Sequence, residues 1–237
     1  MQGRRRIQIK MHRVCAIVAA AGKGKRMGKG FNKLFIKVKN KPILYYTLKK
    51  LSDSSSVDEI ILSASENEIE YCQNEIVKKY NFDKVKYIIP GGKERQESVF
   101  NALKAVKDCD IVLIHDGARP FINEKIIEDG ILYADKYGAS ACGVRPKDTV
   151  KLIGSDGYSC GTLDRDKLFC IQTPQCFKYD IILNCHKTAE FQKKKFTDDT
   201  SLVENSGYNV FLYEGSYDNI KITTPIDIIV AEGILSK

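Results

Sequence analysis

The sequence predicts an α/β domain in which helices cover both faces of a mainly parallel sheet, and three observations predict it. Strand-like and helix-like segments alternate along most of the chain, the pattern of repeated βαβ units. Two of the strand-like runs, VCAIVAAA (14–21) and IVLIH (111–115), are almost unbroken in apolar and small residues, as strands covered on both sides must be. Both empty into strongly polar loops, GKGKRMGKGFNK (22–33) and DGAR (116–119). Open α/β sheets hold ligands beyond the carboxyl ends of their central strands, so the two loops mark one candidate site.

The remaining elements follow in order. Pro42 opens a helical pattern, ILYYTLKKL (43–51), and proline suits a first turn, where its missing N–H has no partner to lose. A strand at VDEIILSAS (57–65), a helix at EIEYCQNEIVKKY (68–80) and a strand at VKYIIP (85–90) come next. Gly91-Gly92 leads into ERQESVFNALKAV (94–106), whose Val99, Leu103 and Val106 recur at helical spacing. After the strand within CDIVLIHDGARPF (109–121) come a helix at IIEDGILYADKYG (126–138) and a strand at ASACGVRP (139–146). The tail of the chain reads as a helix at YDIILNCHKTAEF (179–191), a second helix starting around Thr197–Asp199, a strand at NVFLYEG (209–215) and a C-terminal helix.

One segment breaks the alternation. DTVKLIGSDGYSCGTLDR (148–165) alternates apolar and polar residues around Asp156-Gly157, a hairpin signal. A hairpin inserted in an α/β domain either projects, where it can exchange between subunits, or lies as a plain edge on its own chain. The organisation expected is a basic, disordered extension at 1–12 followed by a single domain at 13–237, with the β-arm at about 146–168.

Bulk properties exclude several classes. The 237 residues carry a formal net charge of +8, but residues 1–13 hold Arg4, Arg5, Arg6, Lys10 and Arg13 with no acid, leaving +3 on the rest. A nucleic-acid-binding face needs cations spread over one surface with interleaved aromatics, and these cluster instead. No stretch approaches the ~20 apolar residues of a membrane span, and the N-terminus lacks the apolar core of a secretory signal. The eight cysteines show no C-x₂-C pair, so they read as reduced thiols of a cytoplasmic protein, with Cys15, Cys109 and Cys142 as small core residues.

The first loop holds Gly22, Gly24, Gly28 and Gly30 with Lys23, Lys25, Arg26, Lys29 and Lys33, and no acid. Glycines let backbone amides approach a ligand closely, and amides with cations suit a polyphosphate. A solvated basic turn is the other reading the residues allow. The loop matches neither G-x₄-G-K-[ST] nor G-x-G-x-x-G, since Met27 stands where the third glycine belongs. This disfavours a dinucleotide-dependent oxidoreductase. Five cations fit a triphosphate and its departing pyrophosphate, which is nucleotidyl transfer.

Eight motifs then appear in one order: AAAGKGKRM, Lys33, GGKERQESV, HDGARP, DTVK, DRDKL with QTPQ, TDDTSLVE and DNIKIT. Together they make the chain from Val14 onward resemble the 2-C-methyl-D-erythritol 4-phosphate cytidylyltransferase family. The resemblance implies a Rossmann-like three-layer sandwich with a mainly parallel mixed sheet, the hairpin serving as a dimerisation arm. It implies CTP and a small phosphosugar alcohol as substrates, Mg²⁺ as the divalent cation, and a homodimer with a shared active site, without nucleic acid or membrane partners. The sibling ribitol 5-phosphate enzymes share the fold and the CTP loop, and GGKERQESV, LDRDKL and TDDTSLVE look more like the methylerythritol family.

Site residues carried over by the resemblance are as follows. Arg26 and Lys33 would neutralise the triphosphate and the transition state. Ala20, Ala21, Gly22, Gly24 and Lys25 would cradle CTP on the phosphate side, and Gly91, Gly92 and Ser98 on the cytosine side. Asp116, Gly117, Arg119, Thr149, Arg165, Thr173 and Lys221 would bind the acceptor, several of them from the partner subunit. Asp116 would also face the metal. Gly117 stands where the family often carries alanine. His115 reads as a packed strand-end histidine, Glu94 and Arg95 as a possible charge pair at a helix start, and Thr197 with Asp198 as a helix cap more than a substrate contact.

Overall fold

The computed structural model describes residues 12–22 and 32–236. The expectations for Gly24, Lys25 and Arg26, and for residues 1–11 of the extension, lie outside the described residues.

In chain order the strands are β1 (Val14–Ala19), β2 (Lys37–Val38), β3 (Lys41–Pro42), β4 (Glu59–Ala64), β5 (Val85–Pro90) and β6 (Ile111–Asp116). They continue as β7 (Ala139–Val144), β8 (Lys151–Ile153), β9 (Ser159–Thr162), β10 (Cys170–Lys178) and β11 (Phe211–Glu214). The helices are α1 (Ile43–Asp53), α2 (Ile69–Tyr71, continued in a wider winding by Cys72–Lys78), α3 (Arg95–Ala105) and α4 (Glu124–Tyr137). The last three are α5 (Tyr179–Phe191), α6 (Asp199–Asn205) and α7 (Pro225–Ile234).

Seven strands form the main sheet in the order β11-β7-β10-β6-β1-β4-β5, and β10 alone runs antiparallel to its neighbours. The side chains of β1 show why it sits in the middle. Val14, Ala16 and Val18 join a buried cluster with residues of α1, α2 and α4 on one face. Cys15 and Ile17 join residues of α3, α5 and α6 on the other. A strand buried on both faces has no use for polar alternation, hence the continuous apolar run. This is the three-layer α/β sandwich with a mainly parallel mixed sheet that the alternation predicts.

The sequence reading gives LFCIQTPQCF no element, yet it forms the long central strand β10. Proline cannot donate to a ladder and argues against a central strand. Here Pro174 lies where the pairing with β7 shifts register, between Ile171 and Gln175, so its missing N–H costs no regular ladder bond.

The hairpin forms as a separate two-stranded sheet of β8 and β9 with exposed residues. Gly157 takes φ +85° at its turn, a conformation glycine adopts without steric cost. Of the three cysteines assigned to the core, Cys15 and Cys142 are fully buried, while Cys109 is half-buried and its thiol donates to the Ile111 carbonyl. Among the described residues no helix is long and apolar enough to cross a membrane.

Candidate active site

The chain runs β1 to β4 to β5 outward on one side, then crosses back so that β6 lies on the other side of β1. Such a reversal leaves a crevice at the carboxyl ends of the two central strands. Ala19 and Asp116, the last residues of β1 and β6, are direct register partners at its floor. A cleft of about 600 Å³ opens there, lined by Ala20, Ala21, Gly22, Lys33, Gly92, Ser98, Asp116 and Lys221 among others.

The two ends of the glycine loop are tied together. Asn32 donates its amide to the Ala20 carbonyl at 3.0 Å and to Glu68 Oε2 at 2.8 Å, while its Oδ1 accepts from the Leu34 N–H. The chain therefore re-enters beside the strand it left. Lys33 follows at once and donates through Nζ to the Ile222 carbonyl at 2.6 Å. Ile222 in turn donates its N–H to the Ala118 carbonyl. The DNIKIT segment is thereby stapled between the first loop and the DGAR loop, which brings Lys221 into the cleft.

On the opposite wall, the Ser98 hydroxyl accepts from the Gly92 N–H at 3.0 Å and donates to the Glu94 carbonyl at 3.0 Å, so it shapes the turn before α3. Gly91 must be glycine. A Cβ there would stand 2.3 Å from Ala21 Cβ and 2.9 Å from Ser98 Oγ. The first loop and the β5 loop thus touch backbone against side chain, with Gly91 as the contact.

Asp116 is the electrostatic centre. Its Oδ1 accepts from Arg95 Nε at 3.0 Å, and its Oδ2 lies 2.6 Å from Lys221 Nζ and 4.0 Å from Arg119 Nε. Burial would raise its pKa, but Arg95 first, then Lys221 and Arg119, outweigh this and hold the carboxyl below the usual carboxylate range. Beneath it, the Asp116 N–H donates to Thr173 Oγ1 at 3.0 Å, and Thr173 Oγ1 lies 3.0 Å from His115 Nδ1. His115 Nε2 sits 3.0 Å from the Arg119 carbonyl, which can only accept. That fixes the tautomer: Nε2 carries the proton, and Nδ1 accepts from the Thr173 hydroxyl. Burial pushes the His115 pKa down to about 4, so the chain of hydrogen bonds is neutral and directional.

Arg119 donates Nη1 to the Asn219 carbonyl at 2.7 Å, and Gly117 is buried with its carbonyl on the Thr47 hydroxyl. Thr173, Arg119, Gly117 and Gly91 therefore frame the cleft from behind and do not line it. Thr149 and Arg165 are exposed at the base of the hairpin and do not line the cleft of their own chain. Asp198 caps α6, accepting from the Ser201 N–H, as the cap reading expects. His115 is a packed strand-end residue, also as expected.

Asn32 and Asp199, which the sequence reading does not single out, belong to the site. So does Arg95, which it reads as a helix-start pair with Glu94 and which instead pairs with Asp116 and Asp199. Asn32 closes the loop, and Arg95 forms a part-buried ion pair with Asp199 at 2.6 Å. Asn32 immediately before a lysine after a glycine loop is a turn-closing signal. An arginine at the first position of a helix, where the dipole favours an acid, is the signal for Arg95.

The comparison with known proteins decides the family. The model described as IspD, 2-C-methyl-D-erythritol 4-phosphate cytidylyltransferase, matches residues 14–237. The chain belongs to this family. Among curated members, the 2-C-methyl-D-erythritol 4-phosphate cytidylyltransferase of Clostridium novyi (strain NT) is 62% identical over 225 residues, covering 95% of this chain and 97% of that protein. That of Clostridium kluyveri (strain NBRC 12016) is 60% identical over 219 residues, covering 92% and 95%. The crystal structure of 4-diphosphocytidyl-2C-methyl-D-erythritolsynthase from Anaerococcus prevotii DSM 20548 superposes with a TM-score of 0.86 at 34% identity, covering 97% of this chain and 98% of that one. This cytidylyltransferase-family chain shares its fold with that solved structure, and its own cleft opens at the carboxyl ends of β1 and β6.

Proposed function

We propose that this cytidylyltransferase transfers CMP from CTP to 2-C-methyl-D-erythritol 4-phosphate, giving 4-CDP-2-C-methyl-D-erythritol and pyrophosphate. The observation that carries the reading is the convergence of five separated motifs on one cleft at the β1/β6 crevice, in a chain matched by the family over residues 14–237.

An oxygen of the acceptor's phosphomonoester attacks the α-phosphorus, the bond from that phosphorus to the bridging oxygen of pyrophosphate breaks, and pyrophosphate leaves with the electron pair. The acceptor phosphate, with a second pKa of about 6, is already an anion at neutral pH. The site then has no proton to remove, and its tasks are alignment and charge neutralisation. Lys33 and Arg26 neutralise the triphosphate, with Ala20, Ala21, Gly22, Gly24 and Lys25 around it. Gly92 and Ser98 line the side assigned to the neutral cytosine, and Gly91 stands behind them, its N–H on the Ala64 carbonyl, holding the turn. Lys221 takes the acceptor phosphate.

Among the described residues no cluster of three or more His, Cys, Asp or Glu side chains could hold a metal ion by itself. Asp116 offers one carboxylate on which three cations already stand, and these oppose a further cation. A divalent ion would therefore enter only with the triphosphate, whose negative charge offsets theirs. In that form Mg²⁺ would bind phosphate oxygens and Asp116, and would screen charge on the phosphates. Thr149 and Arg165 stand outside their own chain's cleft on an exposed hairpin. This supports a homodimer in which the hairpin supplies both residues to a partner's site, and in which Arg165 grips phosphate bidentately.

The test is pyrophosphate release with CTP and Mg²⁺, supplying methylerythritol 4-phosphate and ribitol 5-phosphate side by side. Turnover with the first and little with the second is expected. Preference for ribitol 5-phosphate would reassign the acceptor, and no release with either would overturn the reading.

A further inference from the structure

Arg95 stands in an electrostatically unfavourable place for a helix residue. It is the first residue of α3, where the helix dipole repels a cation, and its N-cap Glu94 makes no side-chain capping bond. Its guanidinium nevertheless makes a fork between two buried acids on different elements. Nε donates to Asp116 Oδ1 at 3.0 Å, and Nη1 donates to Asp199 Oδ2 at 2.6 Å.

Asp199 does not reach the cleft. It is the first residue of α6, its side chain only 2% exposed, and its Oδ1 lies 3.2 Å from His186 Nε2. Its N–H donates to Gln175 Oε1 at 3.2 Å. His186, on α5, is itself buried and stacks on Phe100 of α3 with ring centroids 5.6 Å apart. The set therefore joins α3, α5 and α6, with Asp199 and His186 behind the cleft, and ends on the carboxylate at its floor through Arg95, which itself lines the cleft wall.

A buried ion pair rarely adds stability over an apolar pair of the same shape, because both charges must be stripped of water. What such an array does supply is geometry. Among the described residues, Lys221 and Arg119 approach Asp116 through Oδ2, whereas Arg95 holds Oδ1. With Oδ1 held by a guanidinium that is itself anchored on Asp199, the carboxylate plane is set and Oδ2 is left to Lys221 and Arg119. A lysine could not do this, since an ammonium lacks the planar fork that spans two carboxylates.

Resting on the cytidylyl-transfer reading of the cleft, we infer that Arg95 is a positioning residue that fixes Asp116 through a fork anchored on Asp199 and His186. It is not a solvated helix-start charge, and Asp199 and His186 act only through it.

The experiment is a double-mutant cycle in the full chain with Arg95→Lys and Asp116→Asn, read by pyrophosphate release. Arg95→Lys lowers kcat/KM for the acceptor about 10- to 100-fold, the scale typical of lost support behind a ligand-binding group, with little change in the Kd for CTP. In the Asp116→Asn background the same substitution costs less than about twofold, because the group it positions is already gone. A purely structural role would give losses that multiply, and would lower CTP affinity and the melting temperature together; either result in an active wild-type background overturns the inference alone. A wild-type chain that releases no pyrophosphate overturns the underlying reading and this inference with it. Should Arg95→Lys fail to fold, Asp199→Asn, which leaves Arg95 and the side-chain shape in place, carries the same cycle with the same two outcomes.

Discussion

Lys221 Nζ lies 2.6 Å from Asp116 Oδ2, so the cation assigned to the acceptor is paired with the acid at the cleft floor. An incoming phosphate and that carboxylate compete for one ammonium. The competition is productive only if the carboxylate finds other partners, and Arg95 and Arg119 already stand on it. Lys221→Gln should therefore lower kcat/KM for the acceptor by about two to three orders of magnitude, the scale of losing one preorganised charge on a reacting phosphate. The Lys221 side chain is 38% exposed, so the melting temperature should move little. Steady-state kinetics with CTP saturating, alongside CTP titration, checks this. An equal loss of CTP affinity would move Lys221 to the nucleotide side.

Two glycines of the proposed CTP site should respond in opposite ways. A Cβ on Gly91 would collide with Ala21 and Ser98, whereas a Cβ on Gly22 would meet nothing within 4 Å among the described residues. Gly91→Ala should destabilise the fold by about 1–3 kcal/mol through overpacking and raise the KM for CTP. Gly22→Ala should leave the melting temperature nearly unchanged and still weaken CTP, because Gly22 lines the cleft and the methyl meets none of the described residues. Thermal denaturation with isothermal titration of CTP separates the two. Unaltered CTP binding in Gly22→Ala would remove Gly22 from the phosphate cradle.

Much of this was legible in the residues, and the exceptions have physical causes. The apolar runs of β1 and β6 announce a central position because both faces are covered, and the loops after them had to meet once the sheet was parallel. β10 stayed hidden because Pro174 is forbidden in a regular ladder and only the register shift beside it permits the strand. Asn32, Arg95, Asp199 and His186 were not legible as a group. Their roles come from contacts between segments far apart in sequence, such as Arg95 with Asp199, which no local period encodes. Thr173 shows the converse: the QTPQ motif drew attention to it, but its hydroxyl is spent on the Asp116 N–H and on His115.

His115 makes stability depend on pH in a defined window. An unfolded histidine titrates near 6.5, whereas burial holds folded His115 at about 4. The unfolded state thus binds the extra proton between these values, and stability present above pH ~6.5 is lost as pH falls toward 4. The full difference is of order 3 kcal/mol. Asp116 and Asp199, both held below the usual carboxylate range, titrate under this window and do not contribute within it. Urea denaturation at pH 7.5 and pH 5 should show the loss in the wild-type chain and a much smaller one in His115→Gln. Equal losses in both would place the pH dependence elsewhere.

The hairpin offers the sharpest test of a shared site. Arg165 and Thr149 are exposed at its base, and Leu152, Ile153 and Tyr158 on it are large, apolar and exposed, a costly arrangement for a chain that stays alone. If the arm serves the neighbouring subunit, Arg26→Ala and Arg165→Ala each inactivate homodimers by about two orders of magnitude or more. In a mixed dimer, however, one of the two sites receives its Arg26 from the Arg165→Ala chain and its Arg165 from the Arg26→Ala chain, and is therefore intact. Random mixing gives half the dimers as heterodimers, each with one working site, so about a quarter of wild-type turnover returns. Co-expression with two distinct affinity tags, followed by pyrophosphate-release assays on the doubly tagged fraction, isolates that population. Recovery near half of wild-type activity in that fraction is expected. A doubly tagged fraction no more active than the parent variants would mean that each chain completes its own site, and the arm would then be an edge hairpin.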